Sequence, residues 1–498
     1  MNRLGGTQRE QNPLRLNIAR VHIPLSAVLA AWCGRKIGAG LARLTRHPLL
    51  LVPVLGVWFG LRLLDGHGVA GTLMVLLVLA AVIGVWRWLW PGSFTRLVAW
   101  RVRGWWRAVR VYRFCWQPAM VTTNLAVRVD AEEYLPRLLA VRSTGTVDRV
   151  FVRMLPGQVL DDWTSVAPRL AQTFDAKECR VRTTRHRQQL ELWFLVEDPL
   201  TDPIPPSMAA DSGVPDLESL PVARREDGLT YRLRLLGTHL LVVGATGSGK
   251  GSVIWSILNA AGPLIRDRVV QVWCLDPKGG MELAPGRGLF ARFVYGDPDE
   301  GTGTGLDYEA EFARVLEDAV AVMRRRQSAL RGVTRLHTPT ATEPLILVVV
   351  DELASLTAYV TDRDAKKRIA AALSLLLSQG RAVGVTVVGA VQDPRKEILS
   401  VRDLFPTRIA LRLSEADHVG LVLGQGARDR GARCDQIPES LPGVGYVGID
   451  GIAEPVRVRF AHITDDHIGR MVTDYAPGTC GQPSAGELPA DRSTEAAA

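Results

Sequence analysis

The chain has 498 residues, 47% of them apolar, and a formal net charge of +9, and this length suffices for two or three domains. The positive charge is concentrated in residues 1–113, where sixteen Lys and Arg residues face only Glu10 and Asp65, so the remainder has a net charge of −5. Residues 114–498 therefore have no overall positive field that could bind nucleic acid. Any DNA site among them must be a local patch or the lining of a pore.

Two apolar runs near the N-terminus predict a pair of transmembrane helices. Residues 48–64 and 69–86 are almost wholly apolar, and residues 65–68 interrupt them. Seventeen helical residues extend over about 25 Å, slightly less than a hydrocarbon core of about 30 Å. Arginine-rich flanks place both ends in the cytoplasm, and the tryptophans after the second run suit the membrane interface. The alternative is a pair of buried helices in a soluble core.

These runs and their flanks suggest how the N-terminal part is organised. We assign residues 1–47 to a basic cytoplasmic segment, 48–90 to the two spans and 91–119 to a basic juxtamembrane segment. Residues 120–200 alternate short strand and helix patterns, which is typical of a small α+β module with a structural or assembly role. Residues 201–222 are rich in Pro, Ser and Asp and predict a linker.

A phosphate-binding loop is predicted between a strand and a helix. Residues 240–243 are a buried-strand run, and an apolar helix pattern covers residues 253–258. Between them lie nine residues that we expect to bind the nucleotide: Gly244, Ala245, Thr246, Gly247, Ser248, Gly249, Lys250, Gly251 and Ser252. The glycines allow backbone N–H groups to surround phosphate oxygens, and Lys250 would reach the β- and γ-phosphates.

One position in this loop departs from the usual motif. The residue after the lysine is ordinarily Ser or Thr, whose hydroxyl contacts Mg²⁺, but here it is Gly251, followed by Ser252. A shift of one residue turns a helical side chain by about 100°. Two possibilities stay open: either the loop is repacked so that Ser252 reaches the metal, or a water molecule fills that place.

Residues 345–350 predict a second buried strand, and two carboxylates follow it. Because a parallel strand presents its carboxyl end at the ligand-binding edge of a sheet, Asp351 and Glu352 would face the nucleotide. Asp351 would orient Mg²⁺, directly or through water, and Glu352 would polarise the attacking water. The alternative is that both carboxylates are chance matches in an inactive fold.

Further strands are expected in the same sheet. Residues 269–275 and 383–391 have strand patterns, and residues 444–449 with 456–460 predict a closing hairpin. Gln392 follows the strand at 383–391, where a sensor of the γ-phosphate would lie. A polar cap at the end of a strand explains Gln392 equally well.

This ordered series of motifs resembles the FtsK/SpoIIIE family of DNA translocases over roughly residues 240–460. Besides the phosphate-binding loop, the resemblance rests on Leu-Asp-Pro-Lys at 275–278, Met-Arg-Arg-Arg at 323–326, Val-Val-Asp-Glu at 349–352, Gly-Arg-Ala-Val-Gly-Val at 380–385, Ala-Val-Gln-Asp-Pro at 390–394 and Pro-Thr-Arg-Ile-Ala-Leu-Arg at 406–412. The order of the motifs is more specific than any single one. The module at residues 120–200 is similar to the smaller domain of this family.

The resemblance implies a fold class, cofactors and partners. We expect an α/β fold: a RecA-like P-loop motor domain with a central, mostly parallel sheet at residues 223–475, beside the small α+β module and the N-terminal transmembrane hairpin. ATP and Mg²⁺ are the implied cofactors, and the implied assembly is a homo-hexameric ring that pumps double-stranded DNA. Residues 476–498 predict a disordered tail in place of the family's winged-helix domain.

The lysine-Gly-Ser variant resembles a branch of the family found on actinobacterial conjugative elements, so the expected role is transfer of a mobile element at the cytoplasmic membrane. The DNA-contact candidates are Arg324 to Arg326, Lys366 to Arg368, Arg395 and Lys396, and for each a solvated helix face is an equally good explanation. The candidates for an arginine that acts on a neighbouring subunit are Arg381, Arg408 and Arg412.

Two other functions stay open at this point. The same family energises a protein secretion system, although those ATPases usually carry several P-loop domains on one chain. A nucleotide-binding membrane adaptor without turnover is the third possibility, and Gly251 is the feature that favours it. The six scattered cysteines lack metal-ligand spacing and suit a reducing cytosol, so we expect a multi-pass membrane protein whose N-terminus and ATPase domain are cytoplasmic.

Overall fold

The structure is a computed structural model. It describes residues 80–129, 132–206, 215–296, 308–395 and 401–477, together with Met74, Leu77 and Val78. The chain divides into two compact units, residues 1–99 and residues 100–498.

The described part of the first unit is helical. Residues 80–89 form a helix, followed by α1 (Pro91–Phe94) and a π-helical turn (Thr95–Ala99). Trp86 packs edge-on against Phe94 and donates a hydrogen bond from Nε1 to Ser93 Oγ at 2.9 Å. Many large apolar side chains of this unit are exposed, namely those of Met74, Leu77, Val78, Ile83, Val85, Trp88, Leu89, Trp90 and Leu97.

The predicted transmembrane pair falls largely outside the described residues. The first run, residues 48–64, lies wholly outside them, and so does the beginning of the second run. Within the part of the chain that the structure describes, no helix combines the length and the apolar character needed to cross a bilayer.

The second unit begins with a small α+β module. Its helices are α2 (Trp100–Arg107), α3 (Phe114–Thr122) and α4 (Leu160–Thr173), and a π-helical segment, Ala108–Arg113, separates the first two. Its strands are β1 (Val127–Val129), β2 (Glu132–Tyr134), β3 (Arg137–Ser143), β4 (Val147–Arg153), β5 (Glu178–Thr183) and β6 (Gln189–Leu195). Strands β1 and β2 form a hairpin, and the others form an antiparallel sheet in the order β3-β4-β6-β5.

This module begins before residue 120, where the sequence analysis placed its start. Tyr112, Trp116 and Met120 recur every four residues and are buried, and the first two pack against Phe174. A repeat of four residues places side chains on one face of a helix, so this face belongs to the core of the module. The boundary at residue 120 is corrected, because the Trp- and Arg-rich composition of residues 91–119 concealed this buried face.

A ten-stranded mixed sheet forms the centre of the following residues. Its strands are β7 (Leu220–Arg225), β8 (Thr230–Leu233), β9 (Leu240–Val243), β10 (Val270–Asp276), β11 (Phe290–Tyr295), β12 (Leu345–Val350), β13 (Val385–Val391), β14 (Thr407–Ala410), β15 (Val444–Ile449) and β16 (Val456–Phe460). Their order in the sheet is β11-β10-β12-β13-β9-β14-β15-β16-β7-β8. The first six are parallel, and every later pairing is antiparallel. The predicted hairpin is β15 and β16.

Helices cover both faces of this sheet. They are α5 (Lys250–Arg266), α6 (Tyr308–Leu330), α7 (Leu353–Thr357), α8 (Arg363–Gln379), α9 (Ala416–Leu423) and α10 (Asp465–Tyr475). Single 3₁₀ turns lie at Ala284–Leu289, Gly380–Val383, Arg402–Leu404 and Cys434–Gln436.

Strand β9 shows why the central strands are apolar throughout. Leu240 and Val242 point into a core that α5 and α10 share, whereas Leu241 and Val243 point into the opposite core, with α6 and α8. Because both faces of a parallel sheet are covered, every residue of such a strand is buried. The continuous apolar run at residues 345–350 has the same cause in β12.

The predicted linker at residues 201–222 is partly built into the large domain. Ile204 is buried in the core on the side of α6 and α8, and β7 already begins at Leu220. The middle of this segment, residues 207–214, lies outside the described residues.

Candidate nucleotide site

The phosphate-binding loop joins the end of β9 to the first turn of α5. It is tied to both neighbouring strands, because Gly244 N donates to Val391 O at 3.2 Å and Ala245 N donates to Arg412 O at 2.9 Å. The loop therefore lies at the carboxyl edge of three adjacent parallel strands, β13, β9 and β14. This is the edge at which open α/β sheets bind their ligands.

Gly249 precedes the helix at a position where no other residue fits. Its φ of +94° lies in the left-handed region, and a Cβ on this residue would be 2.4 Å from Gly443 N. The same Gly443 N–H donates to Ser248 O at 2.9 Å. The turn before β15 thus supports the loop from behind, which is possible only when residue 249 has no side chain.

Lys250 is buried at the start of α5, and its amine turns back over the loop. Nζ donates to Gly244 O at 2.8 Å and to Ala245 O at 3.3 Å. Burial lowers the pKa of Lys250, and the positive charge of Lys278 acts in the same direction. The carboxylates of Glu352, Asp351 and Glu282 act in the opposite direction, so Lys250 lies within the electrostatic reach of all three.

The two carboxylates that follow β12 are held at the same edge of the sheet. Asp351 N donates to Leu275 O at 3.1 Å, which extends the pairing of β12 with β10. Glu352 caps α7 by accepting a hydrogen bond from Ala354 N at 3.4 Å. Both residues are buried. Only β13 separates β12 from the strand that leads into the phosphate-binding loop.

Lys278 contacts both of these carboxylates. Its Nζ lies 3.0 Å from Asp351 Oδ2 and 3.3 Å from Glu352 Oε2. Burial by itself would lower the pKa of Lys278, but the two carboxylates outweigh it and raise the pKa above its ordinary value. Lys278 comes from the loop after β10, which runs parallel beside β12, so the ends of adjacent strands bring these side chains together.

Gln392 and Arg412 meet at Thr246 of the phosphate-binding loop. Thr246 Oγ1 donates to Gln392 Oε1 at 3.2 Å, and Arg412 Nη2 donates to Thr246 O at 2.8 Å. Arg412 also pairs with Glu439 at 3.1 Å. Gln392 follows β13 and Arg412 follows β14, so the two strands that flank β9 each place one polar side chain beside the loop.

Gly251 and Ser252 face different neighbours in the first turn of α5. A Cβ at Gly251 would lie 3.2 Å from Glu282 Oε2, whereas Ser252 Cβ lies 3.9 Å from the position that a Cβ at Gly443 would occupy. The metal-binding role of Ser252 therefore stays a prediction, made for a side chain that faces the turn before β15.

The residues at this edge fit a magnesium ion that is held together with a nucleotide. Among the described residues, no group of three or more His, Cys, Asp or Glu side chains could hold a metal by itself. Mg²⁺ in nucleotide sites is bound by one or two carboxylates, water and the phosphates, and Asp351 can supply one carboxylate. Asp276, at the end of β10, is wholly buried, and its Oδ2 has no hydrogen-bond partner.

Sequence reasoning gave no role to Lys278 or Glu282 and considered Arg412 only for a neighbouring subunit. Lys278 could have been noticed, because it ends a strand in the motif Leu-Asp-Pro-Lys. No local pattern indicates Glu282, because its importance depends on where its loop returns toward α5.

Comparison with known proteins identifies the large domain. The FtsK/SpoIIIE family model matches residues 198–433. Residues 198–433 form an FtsK/SpoIIIE family domain. The matched range contains the phosphate-binding loop, Lys278, Asp351, Glu352, Gln392 and Arg412. The resemblance stated from the motifs is therefore confirmed.

Two kinds of relatives extend this result. The transfer protein TraSA of Streptomyces ambofaciens is 28% identical over 366 residues, which are 70% of this chain and 84% of TraSA. The DNA translocase FtsK of Bacillus cereus is 30% identical over 254 residues, which are 48% of this chain and 30% of that protein. The chain thus spans most of TraSA and under a third of this FtsK. Among solved structures, the pCW3 conjugation coupling protein TcpA has a TM-score of 0.47 and 18% identity, over 72% of this chain and 98% of TcpA.

Several basic residues of the FtsK/SpoIIIE domain that were candidates for DNA contact are engaged within the chain. Arg326 is buried and binds Glu343 and three carbonyl oxygens. Arg368 pairs with Glu317, and Arg395 with Asp393. Arg324 and Lys367 are exposed, and Lys396 lies outside the described residues. Arg326 is therefore a packing residue, and the prediction that it contacts DNA is wrong.

The candidates for an arginine that acts on a neighbouring subunit differ in the same way. Arg408 is bound to Phe405 O at 2.8 Å and lies 3.7 Å from Asp450 Oδ1. Arg412 is bound to the phosphate-binding loop of its own chain. Arg381 is exposed, and a role of any of the three on another subunit stays a prediction.

Proposed function

We propose that this chain is a membrane-anchored ATPase that moves double-stranded DNA, in the conjugative transfer of a mobile element. The observation that carries the proposal is the convergence of Lys250, Asp351, Glu352 and Gln392 at one edge of the sheet. The FtsK/SpoIIIE domain and the relatedness to a transfer protein and to DNA translocases support DNA as the cargo. The assembly that we propose is a homo-hexameric ring.

The geometry supports a division of roles within the site. The loop N–H groups and the positive end of α5 bind phosphate oxygens, and the Lys250 amine adds a charge that the loop carbonyls already orient. Asp351 would hold Mg²⁺, which would supply neutralisation of the charge on the phosphates. Glu352 orients and polarises the attacking water. Gln392, hydrogen-bonded to Thr246, is positioned to respond to the γ-phosphate.

The membrane attachment rests on the N-terminal part of the chain. The exposed apolar side chains between Met74 and Leu97 suit the apolar part of a bilayer. The surplus of Lys and Arg in residues 1–113 suits an anionic cytoplasmic leaflet. The first of the two runs, residues 48–64, supplies the remaining apolar length in this proposal.

An ATPase assay with the full chain in detergent or nanodiscs tests the proposal. We expect hydrolysis that linear duplex DNA stimulates. Lys250→Ala should lose nucleotide binding, and Glu352→Gln should keep binding but lose a factor of about 10²–10⁴ in hydrolysis, as for the loss of a general base. Turnover that responds to peptides and not to DNA would indicate secretion, and nucleotide binding without turnover would indicate an adaptor.

A further inference from the structure

The phosphate-binding loop lacks the hydroxyl that ordinarily contacts Mg²⁺. The residue after Lys250 is Gly251, and it has no side chain to offer. The next residue, Ser252, faces the turn at Gly443. The position that ordinarily supplies the hydroxyl therefore has none, and the Ser252 side chain starts from a different side of the helix.

A carboxylate from another loop lies where the missing hydroxyl would reach. Glu282 Oε2 is 3.2 Å from the position of a Cβ at Gly251, and no other atom from outside this part of α5 lies within 4 Å of that position. A serine hydroxyl is one bond beyond its Cβ, so it would enter the space that this carboxylate now borders. Glycine at residue 251 leaves this space open to Glu282.

The loop that carries Glu282 is fixed at both ends. Lys278 at its start binds Asp351 and Glu352. Leu283, next to Glu282, is buried, and its N–H donates to Gly280 O at 3.2 Å. Gly280 has a φ of +78°, which allows this turn. The Glu282 carboxylate is therefore held near Gly251 by a short, anchored turn.

A buried carboxylate at the start of the same loop also lacks a complete set of partners. Asp276, at the start of the same loop, is wholly buried, and its Oδ2 lacks a hydrogen-bond partner. A buried carboxylate oxygen without a partner is costly, and a hydrated cation can supply one.

We propose that Glu282 takes the place of the absent loop hydroxyl and holds the Mg²⁺ of bound Mg-ATP, directly or through a coordinated water. This inference rests on the nucleotide site of the proposed function and names an additional residue for it. A carboxylate differs from a hydroxyl in its charge. It attracts Mg²⁺, but it repels the phosphates of a nucleotide that carries no metal.

Removing the Glu282 charge should therefore change nucleotide affinity in opposite directions with and without Mg²⁺. ATPγS binding to the full chain is measured by calorimetry with excess Mg²⁺ and again with EDTA. We expect Glu282→Gln to weaken binding with Mg²⁺ and to strengthen binding without it. The dissociation constant measured in EDTA, divided by the one measured with Mg²⁺, should fall about tenfold or more. This matches the loss of a residue that supports a metal. Mn²⁺ in place of Mg²⁺ should show a changed EPR spectrum in the same variant.

Two further variants separate a metal contact from a general loss of charge. Glu439→Gln removes another exposed carboxylate beside the loop, the partner of Arg412, and should leave the ratio unchanged. Gly251→Ser combined with Glu282→Ala restores the usual hydroxyl in free space and should recover most of the Mg²⁺ dependence.

The outcomes distinguish this inference from the proposed function. If Glu282→Gln leaves both constants unchanged, or changes them by the same factor, Glu282 does not hold the metal. If the ratio falls as expected but DNA fails to stimulate hydrolysis, the metal role stands and the DNA function is lost. A wild-type chain that binds no ATPγS overturns both.

Discussion

At the scale of single residues, the acidic pair after β12 is balanced by one lysine. The Asp351 and Glu352 side chains are 5% and 7% exposed, and the Lys278 ammonium contacts both. Buried charges that lose their partner are strongly destabilising. Lys278 thus serves as the cation that the chain itself provides for this pair.

Replacing Lys278 should make the protein dependent on an added cation. In Lys278→Met, the two buried carboxylates lack a counter-charge, so we expect a lower melting temperature. Mg²⁺ alone should restore part of it, at about 2–4 °C for each kcal/mol recovered. Differential scanning fluorimetry with and without Mg²⁺ measures this, and Lys278→Arg is the matched control. Equal melting temperatures for Lys278→Met and the wild type would show that Lys278 is not the counter-charge.

The residues of the site differ in how far the sequence reveals them. Asp351 and Glu352 directly follow a buried strand, and Lys250 ends a glycine-rich loop between a buried strand and a helix. Local patterns are therefore sufficient to predict all three. Lys278 and Glu282 belong to one loop, and they reach the site only because this loop folds back toward α5 and β12. The path of this loop depends on tertiary contacts, which no spacing along the chain encodes.

At the scale of secondary structure elements, His239 links the strand before the phosphate-binding loop to its neighbour. It immediately precedes β9, and its Nδ1 accepts a hydrogen bond from Val387 N of β13 at 3.0 Å. Burial, and then the positive charge of Arg381, lower the pKa of His239 from 6.5 to about 3. A protonated ring could not accept this bond, so the neutral form holds the two strands together.

This lowered pKa predicts a loss of stability in acid. Below its ordinary pKa of 6.5, the unfolded chain binds a proton at His239, but the folded chain does not until the pH approaches about 3. The free energy of unfolding therefore falls as the pH falls through this window, by up to about 1.4 kcal/mol per pH unit from this group.

The variant His239→Asn keeps an acceptor and removes the titration. Melting temperatures followed by tryptophan fluorescence between pH 7 and 4 should fall less steeply for this variant than for the wild type. Parallel slopes would exclude His239 as a source of the acid sensitivity.

The small module and the FtsK/SpoIIIE domain are joined by a buried ion-pair cluster. Arg180 of β5 binds both carboxylate oxygens of Glu226, at 2.8 and 2.9 Å, and also binds Glu178. Nearby, Arg457 pairs with Asp198 at 2.8 Å. Burial raises the pKa of Glu226, and the Arg180 charge opposes that rise.

Removing only one partner of the Arg180–Glu226 ion pair should destabilise the fold more than removing both. Arg180→Met leaves Glu226 buried without a partner and should cost about 3–5 kcal/mol, whereas Arg180→Met with Glu226→Leu should recover much of that loss. Because an unpaired Glu226 takes up a proton in the folded state, the cost of the single variant should be larger at pH 8 than at pH 5. Chemical unfolding at both pH values measures these differences. Equal destabilisation by the single and double variants would exclude a buried unpaired charge as the cause.

The elements themselves were predictable where burial is continuous. The strands at 240–243 and 444–449 have the predicted bounds, because the residues beside them are typical of turns and loops. Strands β7 and β8 were missed because they lie at the end of the sheet, β8 as its edge strand, and expose Arg224 and Arg232. Such alternation of buried and charged residues resembles a charged linker. The helical face of Tyr112 and Trp116 was missed because neighbouring arginines dominated the composition.

At the scale of the whole molecule, charge and hydrophobicity are divided along the chain. The Lys and Arg surplus lies in residues 1–113, and the remaining residues have a net charge of −5. In the proposed function, DNA is therefore bound by local side chains such as the exposed Arg324 and Lys367, and the basic N-terminal part faces lipid.

A triplex displacement assay tests most directly whether this site uses ATP hydrolysis to move the chain along duplex DNA. A labelled third strand is bound to a linear duplex, and its release is followed after the full chain and ATP are added. We predict release by the wild type with ATP, and none with ATPγS or with Glu352→Gln. Hydrolysis stimulated by duplex DNA while the third strand stays bound would contradict the account.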